Sequence, residues 1–256
     1  YLQQFWDAQA NENWIDLYID IETYSSVDIT KSGVYKYVQS LDFEILIVCY
    51  QINGGEIKTV DLARGEDLPY EFIYLMNSAS CRKHAHNAAF ERLCFEQIGI
   101  KVPISQWHCS AVKAAYCGLP LSLGDVSKAL KLGEAAKDAE GKALIRYFSI
   151  PVKPTKANGG RTRNLPQHNP EKWEKYKAYC KQDVHAEYTM LQMLSAYELP
   201  ESEQQMYILD QEINDRGIKI DLTFAENAVK IDERNTFQLT ERLKKLTGLA
   251  NPGSPA

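Results

Sequence analysis

The sequence predicts an α/β domain built on a mixed sheet and followed by a helical extension. Three observations carry this. Strand patterns alternate with helix patterns through about residue 198. The apolar runs 44–52 and 56–63 are separated by Asn53-Gly54-Gly55, residues that accept positive φ and mark a hairpin, so at least one strand pair is antiparallel. Beyond Leu199-Pro200 only two helix patterns remain, at about 201–216 and 223–247, with no core of their own visible.

The elements follow in order. Ile15, Leu17, Ile19 and Ile21 alternate with Asp16, Tyr18, Asp20 and Glu22, a period-two pattern that predicts a first strand over 14–22. EILIVCYQI (44–52) and EIKTVDLA (56–63) are the next two strands, and 68–79 is a short helix. KHAHN (83–87) reads as a brief strand running into a helix over 88–99 that Gly99 closes, with Asn87 as a candidate cap. SQWHCS (105–110) feeds a helix through Tyr116, closed by Gly118-Leu119-Pro120. A short helix over 122–130 and a more basic one over 137–148 follow. Residues 151–170 are rich in Pro, Gly and Asn, hold Lys153, Lys156, Arg161 and Arg163 and no acid, and read as an exposed or mobile loop. A long helix then spans 171–197.

Composition sets bounds on function. The 256 residues suit one large domain, or one domain plus a piece of another. A net charge of -5 argues against nucleic-acid binding by bulk charge but leaves room for a local basic groove. Six scattered cysteines without a Cys-x-x-Cys pair predict buried thiols in a reducing, cytoplasmic compartment, not a zinc site or a disulfide scaffold. No apolar stretch approaches membrane-spanning length, and no signal peptide is present. A start at Tyr1 without methionine and an end in NPGSPA predict a fragment of something longer. The first strand leads into Glu22-Thr23-Tyr24-Ser25-Ser26 and not into a glycine-rich turn, which speaks against dinucleotide and P-loop chemistry.

The chemistry is concentrated in acids. Asp20 and Glu22 project from one face of the strand, roughly 6–7 Å apart along it. Two carboxylates so placed repel unless a cation lies between them, and a hard cation such as Mg²⁺ is the natural candidate. Tyr179 and Asp183 are i and i+4 on the long helix, so they share a face. Together they suit an oxygen ligand beside a water-positioning phenol; the alternative is a surface Asp and a half-buried Tyr. Glu91 stands near the first turn of its helix, where a solvated residue is the plain alternative. His84 and His86 lack the partner spacing of a zinc site and read as structural or groove residues.

Segments 20–22, 87–91 and 179–183 resemble, in order and setting, the three motifs of the DnaQ-like, or DEDD, 3'→5' exonucleases. Tyr179-x-x-x-Asp183 is similar to the tyrosine subclass. LYIDIETYSSVDI (17–29), AHNAAFER (85–92), AAYCGLPLSLGDVSKALKL (114–132), DAEGKALIRYFS (138–149) and YCKQDVHAEY (179–188) resemble the exonuclease region of phage- and prophage-type, DNA polymerase I-like (family A) enzymes. ILDQEINDRGIKID (208–221) and NPGSP (251–255) look like the entry to the polymerising half.

The resemblance implies a ribonuclease H-like fold of about five strands over 1–198, with 199–256 as the incomplete, helical start of a polymerase region. It implies two divalent cations, Mg²⁺ with Mn²⁺ able to substitute, held by Asp20, Glu22, Glu91 and Asp183. The implied reaction is two-metal hydrolysis of the 3'-terminal phosphodiester of single-stranded DNA, releasing nucleoside 5'-monophosphates, with Tyr179 orienting the attacking water. Thr23 and Asn87 take substrate contacts, against a strand-end Thr and a helix cap as alternatives. Tyr24, Phe90, Trp107, Tyr147 and Tyr176 are candidate stacking surfaces or core residues. Lys153, Lys156, Arg161 and Arg163, with Lys175 and Lys181, are candidate phosphate guides or solvated charges. One departure stands out: the family carries Asp where this chain has Glu91, and the extra methylene moves the carboxylate by about 1–1.5 Å, which implies weaker or more Mn²⁺-dependent activity. An RNA-directed exonuclease and a catalytically inactive DNA-binding or structural domain are the rival functions.

Overall fold

A computed structural model describes residues 14–132 and 140–253. Residues 137–139 of the expected basic helix, the first 13 residues and the last three lie outside the described residues. Five strands, β1 (Ile15–Tyr24), β2 (Glu44–Ile52), β3 (Lys58–Val60), β4 (Cys81–Ala85) and β5 (Trp107–Cys109), form one sheet in the order β3-β2-β1-β4-β5. β1 pairs antiparallel with β2, and β2 with β3; β1 pairs parallel with β4, and β4 with β5. This is a mixed five-stranded sheet flanked by helices, as the resemblance implies.

The helices are α1 (Ile29–Val38), α2 (Tyr70–Asn77), α3 (Ala89–Gln97), α4 (Ser110–Tyr116), α5 (Leu123–Ala129), α6 (Gly141–Phe148), α7 (Pro170–Met193), α8 (Glu201–Arg216) and α9 (Leu222–Thr247). Alternation along β1 sorts its side chains between two cores. Ile15, Leu17, Ile19 and Ile21 join Phe72, Leu75 and Met76 of α2 and Phe95 of α3. Tyr18 and Tyr24 join Leu144 and Phe148 of α6 and Trp173, Tyr176 and Cys180 of α7 on the opposite face. Asp20 and Glu22 share the face that carries Tyr18, and so look toward α7.

Helix α7 is built to lie on that face. Pro170 starts it, and the Asn169 side chain accepts a hydrogen bond from Lys172 N. Its buried residues include Trp173, Tyr176, Cys180, Asp183 and Glu187, a three-and-four spacing that makes one stripe. Trp173 Nε1 donates to Asp61 Oδ2 at 2.7 Å, anchoring the first turns beside β3.

The structure departs from the sequence-based expectations locally. The strand expected over 56–63 is only Lys58–Val60, because Asp61 leaves the ladder: its N–H donates to Glu66 Oε2 at 2.7 Å and a 3₁₀ turn follows. The Asn53-Gly54 turn holds as expected, with φ of 47° and 75°. Helix α1 had no sequence signal of comparable strength, since Gly33 interrupts it at φ 74°. β5 is three residues inside a segment expected only to lead into a helix. Asn87 is not the cap of α3: it adopts φ 72°, and Ala88 occupies the cap position. Asn tolerates that left-handed region better than most residues. The segment 151–170 is irregular but closed, with Val152 N donating to Thr162 O at 2.8 Å.

The chain forms two compact units, Tyr1–Glu212 and Ile213–Ala256. Within the first, the opening turns of α8 pack on the core of the sheet domain: Gln204 Nε2 donates to Trp107 O, Tyr207 joins the α2–α3 side, and Gln211 accepts from Arg92. Within the second, Asp221 caps α9 through Phe224 N, and Gly248, at φ 69°, closes it.

Trp173→Ala should lower unfolding free energy by about 3–5 kcal/mol, from lost volume and a lost hydrogen bond to Asp61. Urea unfolding of the 256-residue chain followed by tyrosine fluorescence and circular dichroism checks it; a loss below about 1 kcal/mol contradicts the anchoring role.

Candidate active site

One cavity of about 240 Å³ is lined by Asp20, Ile21, Glu22, Thr23, Ile29, Tyr37, Phe90, Glu91, Ile145, Ser149, Tyr179 and Asp183. It gathers residues from β1, α1, α3, α6 and α7, and all five residues expected to do chemistry are among them. Glu22 is 7% exposed, and Glu91, Tyr179 and Asp183 are 4% each. A register shift between Glu22 and Thr23 lets the end of β1 present both to the cavity.

The carboxylates are held by neighbours the sequence did not flag. Tyr176 donates its hydroxyl to Glu22 Oε2 at 2.5 Å and is 2.7 Å from Ser149 Oγ. Cys180 Sγ donates to Asp20 O at 3.4 Å. Of the two readings weighed for them, stacking surface or core residue, Tyr176 is a core residue that fixes a carboxylate, and Trp107 is wholly buried. The spacing held a clue: Tyr176 lies three residues before Tyr179, on the same helical face.

Tyr179 has its phenol raised well above the ordinary range, by burial first and then by the charges of Asp183, Glu22 and Asp20. It stays protonated at neutral pH and works as a hydrogen-bonding group. Its ring lies against Gly141 at the start of α6, where a methyl group would overlap the ring carbons. Glu91 is pushed up by burial and then by Asp20. Its Oε2 is buried without a hydrogen-bond partner among the described residues.

These residues fit a hard divalent cation. The lining offers carboxylate oxygens and contains no lysine or arginine. Ligand atoms of Asp20, Glu22 and Cys180 lie within 4.8 Å of one another. Glu91 lines the same cavity, and its buried, orphaned oxygen costs free energy unless it finds a cation or a water.

A second groove of about 690 Å³ shares Asp20 and Asp183 and extends past His86, Asn87, Leu121, Ser122, Tyr207 and Asp210. Asn87 is exposed on its wall. Thr23 Oγ1 is 2.7 Å from the Tyr37 hydroxyl within the first cavity, beside Phe90. The other expected substrate contacts lie elsewhere. Arg163 donates to Glu44 Oε2 and stacks 3.8 Å from the centre of the Tyr24 ring, so these two engage each other. Arg161 donates to Asn164 Oδ1, and Lys153 and Lys156 are exposed on the same loop. None of these five lines either cavity. Lys172 lies 4.4 Å over the Tyr147 ring.

No family model matches the chain. It is 51% identical over 241 residues, 94% of its length, to the DNA polymerase of Bacillus phage SP02. The chain is a relative of a phage DNA polymerase. It spans 37% of that polymerase's length. Among solved structures, Brucella melitensis NrnC with bound Mg²⁺ matches at a TM-score of 0.48 and 12% identity, over 81% of this chain and 88% of that one. Escherichia coli RNase D, an exoribonuclease involved in structured RNA processing, matches at 0.41 and 13% identity, over 80% and 47%. Kinship with the phage polymerase thus rests on sequence. No helix among the described residues is long and apolar enough to cross a membrane.

A pH dependence follows from the buried acids. Glu187, one turn beyond Asp183 on α7, is 1% exposed and is raised from 4.5 to about 8 by burial, with Asp20 and Asp183 adding to the rise. A raised acid stabilises the fold fully below its unfolded value and loses that contribution as pH rises through its folded value. In chelator the chain should therefore lose stability between about pH 4.5 and 8, and Glu91 acts in the same direction. Glu187→Gln should flatten the curve by a few kcal/mol in total, on the order set by linkage. Melting temperature against pH measures this; a melting temperature that climbs across the window in wild type contradicts it.

Proposed function

We propose that this chain is a 3'→5' exonuclease unit that removes terminal nucleotides from single-stranded DNA and serves a DNA polymerase of which it is part. The observation that carries the proposal is the single cavity holding Asp20, Glu22, Glu91, Tyr179 and Asp183. Four acids and one protonated phenol, drawn from a strand and two helices, suit phosphodiester hydrolysis. The 51% identity to a phage DNA polymerase favours DNA as substrate. On this reading residues 199–256 begin the polymerase region.

Divalent cations, when bound, would polarise the attacked phosphate and acidify the attacking water. Asp20, Glu22, Asp183 and Glu91 would hold them. The chain's own residues do the rest. Tyr176 fixes one oxygen of Glu22, a residue of the cavity lining. Tyr179, which stays protonated, works as a hydrogen-bonding group and would orient water toward the scissile phosphorus. Thr23 and Tyr37, joined by their hydroxyls, form a polar floor for a terminal sugar, and Ile29, Phe90 and Ile145 give an apolar wall for its base. Asn87 offers an amide to the strand entering along the second groove.

Asp20→Ala should abolish Mg²⁺-dependent release of 5'-mononucleotides, a loss of about 1,000-fold or more. Glu91→Asp withdraws the carboxylate from a cavity shaped for Glu, and kcat should fall by about 100-fold. Gly141→Ala should resemble Tyr179→Phe: kcat drops by roughly 10–100-fold with little change in DNA affinity. Rates on 5'-labelled single-stranded DNA and RNA test all three. Full activity of Asp20→Ala places the chemistry elsewhere, and faster turnover of RNA than DNA reassigns the substrate.

A further inference from the structure

Glu91 reaches the small cavity from α3, a helix of nine residues with no side-chain cap: Asn87 enters it at φ 72°, and Ala88 stands at the cap position. Such a helix takes its position from what it packs against. Glu91 and Arg92 follow one another on it, 4% and 3% exposed. Neighbours on a helix point about 100° apart. Glu91 lines the cavity, and Arg92 turns to another side. There its guanidinium donates to Gln211 Oε1 of α8 at 3.3 Å and lies 3.8 Å from Glu96 Oε2.

Donor and acceptor rules orient the Gln211 carboxamide. Arginine has only donors, so the amide oxygen of Gln211 faces it. The amide nitrogen then donates to Asp210 Oδ2 at 3.1 Å, on the wall of the second groove. Gln204, Tyr207 and Gln211 are spaced by three and four, so they share one face of α8, and all three are buried. Gln204 Nε2 donates to Trp107 O at 2.9 Å. Tyr207, between the two glutamines, joins the cluster that holds Leu93, Cys94 and Phe95 of α3. This face is therefore bonded at both ends and apolar in the middle. A slide of one residue along it would break both amide contacts.

A contact of volume alone would ask only for bulk at position 211. A buried guanidinium asks for an oxygen, because enclosing it without acceptors is expensive. Were that oxygen lost, some element would have to move to give Arg92 another. α3, short and without a side-chain cap, is the element free to do so.

We propose that Gln211 is a positioning residue: through Arg92 it holds α3 on α8 and so sets where the Glu91 carboxylate stands in the cavity. α8 thereby acts on the small cavity although none of its residues lines it. What Glu91 does there, hold a divalent cation, rests on the nuclease reading above.

Amide hydrogen exchange of the 256-residue chain in chelator reads α3 directly. Gln211→Met keeps the bulk and removes the acceptor; protection over Ala89–Gln97 should fall by about tenfold while that of β1 and β2 is kept. Gln211→Glu, which still offers Arg92 an oxygen, should keep the wild-type pattern. Calorimetry with Mg²⁺ alone should show affinity weakened by about tenfold in Gln211→Met and near wild type in Gln211→Glu. In the nuclease assay kcat should drop by about tenfold in Gln211→Met, with KM for a single-stranded oligonucleotide within about twofold. Should Gln211→Met fail to fold, the double variant Arg92→Met/Gln211→Met, which removes the buried charge together with its acceptor, takes its place with the same losses expected. Unchanged exchange over α3 in the folded variant, or equal losses in Gln211→Glu and Gln211→Met, overturns the proposal. So does faster exchange over α3 with Mg²⁺ affinity kept, since the contact is then structural only. A wild-type chain that takes up no Mg²⁺ and releases no nucleotides sinks the nuclease reading, and the exchange pattern still decides whether Gln211 holds α3.

Discussion

Mutual repulsion among buried carboxylates is the constraint on which this structure depends. Glu22, Glu91 and Asp183 are almost wholly enclosed and Asp20 is half-buried, all on one cavity without a basic residue in its lining. A fold does not tolerate that arrangement passively. It needs fixed backbone on at least two sides and some means of spreading the charge. The central position of β1, paired on both edges, gives the first, and the hydrogen bond from Tyr176 to Glu22 gives part of the second. The remainder is the opening for cations.

Helix α7 is the instrument that closes the site. Its contacts with the sheet run from Trp173 on Asp61, through Tyr176 on Glu22 and Cys180 on the Asp20 carbonyl, to Tyr188, whose ring meets Tyr18 edge-on at 5.1 Å. Four points along the helix are therefore fastened to β1 or to the segment beside β3. A helix fixed at so many points has little freedom to slide, so the Tyr179 ring and the Asp183 carboxylate hold their register. Gly141 shows the tolerance on the far side: α6 approaches the ring so closely that only hydrogen fits.

How much of this was legible in the sequence varied with the physics. Period-two alternation announced β1 and placed Asp20 and Glu22 on one face, because strand geometry is local. The i, i+4 spacing joined Tyr179 to Asp183 for the same reason. The meeting of these two pieces with Glu91 is non-local, and only the resemblance to a known motif triplet made it visible in advance. Short elements escaped: β5 has three residues, and α1 is broken at Gly33, so neither has the length to show a period. Asn87 looked like a cap because Asn favours both caps and left-handed turns, and sequence does not separate the two. The basic loop was read by charge alone, yet Arg163 is engaged by Glu44 and Tyr24, partners more than a hundred residues distant. Glu187 passed unnoticed as one more helical acid, since nothing in a sequence distinguishes a solvated glutamate from an enclosed one.

The packing of α8 has a consequence for how this polypeptide can be divided. The obvious seam is Leu199-Pro200, where the long helix ends and composition changes. Yet Gln204, Tyr207 and Gln211 are buried beyond it, against Trp107 and Arg92, and Tyr207 and Asp210 form part of the groove. Protease cleavage or gene truncation at the seam would strip one bank from the groove and bare the apolar surface beneath. The inheritable unit is accordingly longer than the run of strands and helices that makes the sheet. Recombination that exchanged the sheet domain among related chains would succeed only by carrying the first three turns of α8 along with it.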